Sequence, residues 1–177
     1  GAVAPDGEVD PWSHFVNAFM LDRNGDRIDR RNAQDIFVAL YDHQIPPGAA
    51  DVVHYQLRVP EAGREPITLE VKLQYRKFDT TYVRFFRGDP DIANDLPIVT
   101  LAADRVTFPI AGGRAAEARV PSSIPTWQRW NDYGIGLLRK GGDRGSSRGE
   151  LGQAEAAFNE VERLGHSVGA LNRARIY

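Results

Sequence analysis

Cysteine is absent from all 177 residues. Its absence excludes disulfides, thiolate catalysis, Cys-ligated zinc and any c-type haem attached covalently to this chain. It does not separate cytosol from periplasm, because an exported protein can lack disulfides. Long apolar runs are missing too: nothing approaches the ~20 residues that a membrane-spanning helix needs, and no signal-peptide pattern opens the chain. Charge of one sign is also lacking. With 22 basic and 24 acidic residues the formal net charge is −2, which argues against a general nucleic-acid binder and against a membrane-surface protein. What is present, 42% hydrophobic and 26% charged residues, suffices for one domain of ordinary size or two small ones. Gly1-Ala2 does not look like a native start, so the chain reads as a processed or excised piece.

Two kinds of sequence meet near residue 120. From Trp12 to Ile110 the pattern is that of strands. In Ile67–Tyr75 every odd position is apolar and every even one polar, so one face is turned to a core and the other to water. Val53, Tyr55, Leu57 and Val59 alternate in the same way. Further strands are predicted at Phe15–Leu21, Arg27–Asp29, Ile36–Tyr41, Thr81–Arg87, Ile98–Ala102 and Val106–Ile110, with dense Gly and Pro punctuation between them. Asn24-Gly25 reads as a two-residue turn that sets Arg23 opposite Asp26, Asp22 opposite Arg27 and Leu21 opposite Ile28. The expected fold is therefore mainly β with an α-helical C-terminus: an antiparallel β-sandwich over residues 1–120, a Pro/Ser linker at 121–126, and helices over 127–177.

The helical grammar is set by spacing. Trp130, Tyr133, Leu137 and Leu138 form one stripe, and Leu151, Ala154, Ala157, Phe158 and Val161 another, with the glycine-rich loop Gly141–Gly149 between them. A third helix is expected from Ala170, with the chain stopping inside it at Tyr177. These positions resemble a tetratricopeptide repeat: Trp130, Tyr133, Gly134 and Leu137 match its helix A, while Ala154, Phe158 and Val161 match helix B. Ala174 and Tyr177 match a second helix A, giving a TPR-like hairpin at the start of a truncated array. About three repeats are needed for a concave peptide-binding groove.

A wider resemblance rests on Phe19–Asn32, Tyr41–Ala50, Val52–Tyr55, Tyr75–Tyr82, Asp95–Val99 and Arg129–Leu138. Together these strings resemble bacterial exported multihaem cytochrome c proteins that carry C-terminal tetratricopeptide repeats. The family holds its haems in an upstream region rich in CxxCH motifs, and this chain has none. The resemblance thus implies a non-catalytic scaffold and interaction segment of an electron-transfer cytochrome, periplasmic or extracellular. Haem c would be carried by a neighbouring domain or chain, and the repeats would recruit a protein partner. No nucleic-acid partner and no membrane span are implied.

Within that resemblance, a histidine outside CxxCH can give the distal iron ligand to a haem bound elsewhere. His14, before the first strand, and His43, in a turn-rich stretch, are the candidates; His54 is on the polar side of a strand, and His166 reads as an ordinary loop residue. A hydrogen-bonded or exposed histidine is the plainer reading of each. Asp22, Asn24, Asp26 and Asp29 form an oxygen-rich group of the kind calcium takes, but Gly25 is at loop position four rather than six and Ala33 occupies position twelve. The hairpin explains the same residues without a metal. Asp89, Asp91, Asn94 and Asp95 read as turn chemistry. Arg144 and Arg148 read as a solvated loop rather than a phosphate or RNA contact. Catalysis has no supporting motif: there is no phosphate loop and no HExxH, and Gly145–Gly149 belongs to the glycine-rich loop rather than to a Gly-x-Ser-x-Gly elbow. The competing reading is a self-contained secreted β-sandwich module that binds carbohydrate, peptide or calcium.

Overall fold

The computed structural model describes residues 1–59, 65–113, 121–141 and 148–177. The chain divides into two compact units. Unit 1 is Gly1–Asp42 with Leu57–Val120, and unit 2 is His43–Gln56 with Pro121–Tyr177. Among the described residues, no helix is long and apolar enough to cross a membrane.

Unit 1 is not a β-sandwich. Its strands are β1 (Ala18–Leu21), β2 (Val38–Asp42), β3 (Ile67–Tyr75) and β4 (Val99–Phe108), and they form two separate two-stranded antiparallel sheets, β1–β2 and β3–β4. The alternation in β3 is real, but no second sheet faces it among the described residues. Thr81–Arg87, expected as a strand, belongs to helix α1 (Thr80–Arg87). Its start is fixed by Asp79, whose carboxylate accepts the Tyr82 N–H at 2.8 Å, and its end by Gly88 at φ 65°. An N-cap and a left-handed stop outweigh the β preference of Val83, Phe85 and Phe86. The segments expected at Ile98–Ala102 and Val106–Ile110 are one continuous strand, because Asp104 and Arg105 pair with Val71 and Glu70 instead of breaking it. Val53–Val59 forms no strand.

The hairpin after β1 also departs from the two-residue turn. Leu21 bridges Arg27, and the Ile28 N–H donates to the Met20 carbonyl, one residue away from the expected register. Gly25, at φ 88°, takes the left-handed position that closes a longer loop. The Asp22 carboxylate ties that loop, accepting the N–H groups of Asn24 at 2.8 Å and Asp26 at 2.9 Å.

Polar groups hold unit 1 together. Gly7, Thr80 and Asn94 are its buried residues, and no apolar side chain among its described residues is buried. The Gly7 carbonyl accepts from the Arg76 guanidinium at 2.7 Å and the Thr80 hydroxyl at 2.9 Å. Asn94 donates its backbone N–H to the Asp6 carbonyl at 2.8 Å and its amide to the Phe78 carbonyl at 3.0 Å. Arg84 of α1 then reaches Asp6 and Glu8 at 3.0 and 2.9 Å. The Glu8 N–H and the Arg84 guanidinium hold the Asp6 carboxyl below its ordinary range.

Unit 2 has an apolar core. Its helices are α2 (Thr126–Gly141), α3 (Arg148–Arg163) and α4 (Val168–Arg173), and Leu137, Ala154 and Phe158 form a fully buried cluster, with Val161 of α3 fully buried as well. Val52 and Ile176 pack against this cluster. Side-chain apolar burial of this kind stabilises by about 1.5–3 kcal/mol for each large residue. The segment 43–56 is fastened to α2 by Arg139, which donates to the carbonyls of Gln44 at 2.7 Å and Ala50 at 3.1 Å. Buried Asn172 of α4 donates to Asn131 of α2 at 2.8 Å, and Trp127 stacks on His166 with ring centroids 4.2 Å apart.

Gly134 allows α3 to approach α2: a Cβ there would come within 2.5 Å of the Phe158 ring. Gly152 in α3 has open space around it. The same substitution should therefore act with opposite signs in one unit. Gly152→Ala is expected to stabilise it by about 0.5–1 kcal/mol through helix propensity. Gly134→Ala is expected to destabilise it by about 1–3 kcal/mol through overpacking. Urea unfolding followed by circular dichroism checks both, and equal effects at the two glycines would contradict this packing.

Candidate functional site

Unit 1 carries a shallow cleft of about 290 Å³ whose wall is built from three short pieces of chain. The hairpin return supplies Arg27 and Asp29, the turn before the 3-10 segment Ala33–Asp35 supplies Arg31, and the β3–α1 connection with α1 supplies Lys77, Phe78, Asp79 and Tyr82. Capping by Asp79 is what sets this geometry. It starts α1 at Thr80, so that Phe78 lies just outside the helix and Tyr82 on its first turn, with ring centroids 4.8 Å apart.

Two cations meet these rings, and a third lies on the same wall. The Arg31 guanidinium lies 4.8 Å from the Phe78 centroid and 5.0 Å from that of Tyr82. Lys77 lies over the Phe78 ring at 5.3 Å. Arg27 binds the Asp79 carboxylate at 2.7 Å and stands 4.9 Å from the Phe19 ring. Arg27 is thus neutralised by Asp79, while Arg31 and Lys77 lie on ring faces and their N–H donors meet no acceptor among the described residues. Cations on aromatic faces with free hydrogen-bonding edges suit a carboxylate, a phosphate or a planar anionic group.

Arg31 has φ 59°, in the left-handed region, alone among the described residues other than glycine. Residues held there cost of order 1–3 kcal/mol and cluster at functional sites. The cation–ring contacts offset about 0.5–1 kcal/mol each at an exposed position.

The histidines proposed as distal haem ligands fall in different units: His14 in unit 1 and His43 in unit 2, both half-buried. Each also engages another group of the chain. His54 is exposed. In the calcium quartet, Asp22 is occupied by backbone N–H groups, the Asn24 amide donates to Asp22 at 3.4 Å, and Asp29 pairs with Arg30 at 3.2 Å. Among the described residues no group of three or more His, Asp or Glu side chains is gathered as a metal would need. Asp89 accepts the Asp91 N–H at 3.0 Å, within a turn. Arg144 lies outside the described residues.

The cleft itself is not among the sites proposed from sequence. Tyr75, Phe78, Tyr82, Phe85 and Phe86 crowd around Lys77–Thr81 in the sequence, but reading Thr81–Arg87 as a strand hides how Phe78 and Tyr82 meet. The partner cation, Arg31, comes from far away in sequence.

If Arg31 is strained, Arg31→Ala should destabilise the chain by about 1 kcal/mol, because the ring contacts go and the strain stays. Arg31→Gly should lose less, since glycine relieves the left-handed backbone. Chemical denaturation compares the two, and an equal or larger loss for the glycine variant would contradict the strain. Comparison of the chain with protein-family models, with curated proteins and with solved structures gives no match.

Proposed function

We propose that this chain is a non-catalytic scaffold and interaction segment. The observation that carries the reading is the imbalance within unit 1, where no described apolar side chain is buried while Val71, Leu73, Tyr75, Val99, Leu101 and Phe108 are exposed on β3 and β4. Several large apolar side chains exposed on one ribbon suit a place where other protein docks. The three helices of unit 2, with Gly134 against Phe158, fit the start of a helical array, whose partner surface forms once about three repeats are stacked.

The setting inferred from the sequence resemblance is an exported multihaem cytochrome involved in electron transfer, with haem c on a neighbouring domain or chain. The role of this segment is then positional: unit 1 packs against haem-bearing protein and the helices recruit a partner. A second reading, a ligand-binding module, is favoured by the Arg31–Phe78–Tyr82 cleft, and its ligand class is a small anion rather than calcium.

Intact-mass spectrometry with haem staining, on the protein isolated from its source, tests the cytochrome setting. The expected result is a polypeptide heavier than the 19.7 kDa of this sequence with covalent haem. A haem-free protein of that mass would contradict it.

A further inference from the structure

We propose that β3 is a self-association edge, through which two copies of this chain pair antiparallel about Val71. β3 is hydrogen-bonded to β4 on one side, and among the described residues no strand occupies its other side. No backbone bond from a turn or loop reaches it there among the described residues. The strand is regular along its whole length, because the register shift in the ribbon inserts the extra residue, Leu101, into β4. Its centre is open, with Val71 65% exposed. A two-stranded ribbon alone is marginal in water, and three or more strands are needed for independent stability. A second ribbon joined edge to edge gives four.

The sequence of β3 fits its own reverse. In a two-fold antiparallel pair that keeps the apolar faces on one side, the axis must pass through a residue, since opposed residues share a face. With the axis at Val71, Glu70 faces Lys72 of the other copy and Lys72 faces its Glu70. Leu69 then faces Leu73, Thr68 faces Gln74, and Ile67 faces Tyr75. Every apolar residue meets an apolar one, every polar residue a polar one, and both charge pairs are of opposite sign.

Neighbouring registers fail. An axis at Glu70 or Lys72 sets like charges on the two-fold. An axis at Leu69 puts Leu73 against Glu65, and one at Leu73 puts Leu69 against Lys77. The β4 edge offers no equivalent, since axes at Asp104 and Arg105 oppose like charges and an axis at Ala103 sets Arg105 against Leu101. In the single chain Lys72 rests 3.5 Å from Glu70 of its own strand, and pairing exchanges these contacts, one in each copy, for two between copies. Charges on an edge normally discourage pairing with other strands. Here their order permits pairing with a copy in one register.

Sedimentation velocity of the 177-residue chain, up to about 100 µM, tests the edge. The wild type is expected to dimerise reversibly. Glu70→Lys and Lys72→Glu each place like charges opposite one another twice and are expected to weaken association by about tenfold or more. An equimolar mixture of the two variants restores both opposite-sign pairs and is expected to form a heterodimer, which also shows that both variants fold. The double exchange Glu70→Lys with Lys72→Glu is expected to dimerise like the wild type. A wild type that stays monomeric overturns the proposal, as do single variants that associate as tightly as the wild type, which would place the contact elsewhere.

Discussion

The carbonyl oxygen of Gly7 accepts from Arg76 and from Thr80, and the order of unit 1 depends on that acceptor. Arg76 follows β3 and Thr80 opens α1, so one oxygen fixes the connection between strand and helix. Gly7 occupies its position because its φ is 85° and because a Cβ would lie 2.4 Å from the Asn94 carbonyl. Asn94 completes the arrangement by binding Asp6 and Phe78. Buried polar groups that are fully satisfied specify one geometry, and losing one partner exposes the rest to an unmet desolvation cost. The cleft inherits this order, since Lys77, Phe78 and Asp79 lie between the two donors that grip Gly7.

Unit 2 is organised by the opposite principle. Leu137, Ala154, Phe158 and Val161 exclude water completely, and a missing side chain at Gly134 lets the Phe158 ring reach α2. Its polar contacts, such as Arg139 to the carbonyls of Gln44 and Ala50, secure a loop to a helix that apolar packing has already placed. The two units therefore expose different chemistry. In unit 1 the apolar faces remain at the surface; in unit 2 they are spent on the core.

This difference explains what was legible in the sequence. The helical spacing of Ala154, Phe158 and Val161 reports packing directly, because those residues are fully buried. The twofold alternation of Ile67–Tyr75 reports a strand correctly, yet it cannot say whether a second sheet exists to cover its apolar side, and a sandwich was inferred where the structure has two ribbons. Thr81–Arg87 has the β-branched and aromatic composition of a strand, yet the cap at Asp79 and the stop at Gly88 make it a helix. Asn24-Gly25 marked the turn but not its length, which the Asp22 carboxylate decides. The cleft was the least visible feature, as it joins Arg31 to Phe78 and Tyr82 across more than forty positions and depends on a left-handed backbone that no composition reveals.

An open apolar ribbon, a self-complementary edge and a cation–aromatic cleft all belong to a unit whose order comes from hydrogen bonds and ion pairs, and a surface of this kind is suited to meeting other protein. The central claim is that the described residues of unit 1 fold without fully burying an apolar side chain. The heat capacity of unfolding measures that most directly, because it scales with the apolar area removed from water. An ordinary globular chain of this length gives about 2.1–2.7 kcal/mol/K. Calorimetry of the 177-residue chain should return less than about half of that, close to the share of the helical unit alone. A full-sized value would contradict the account.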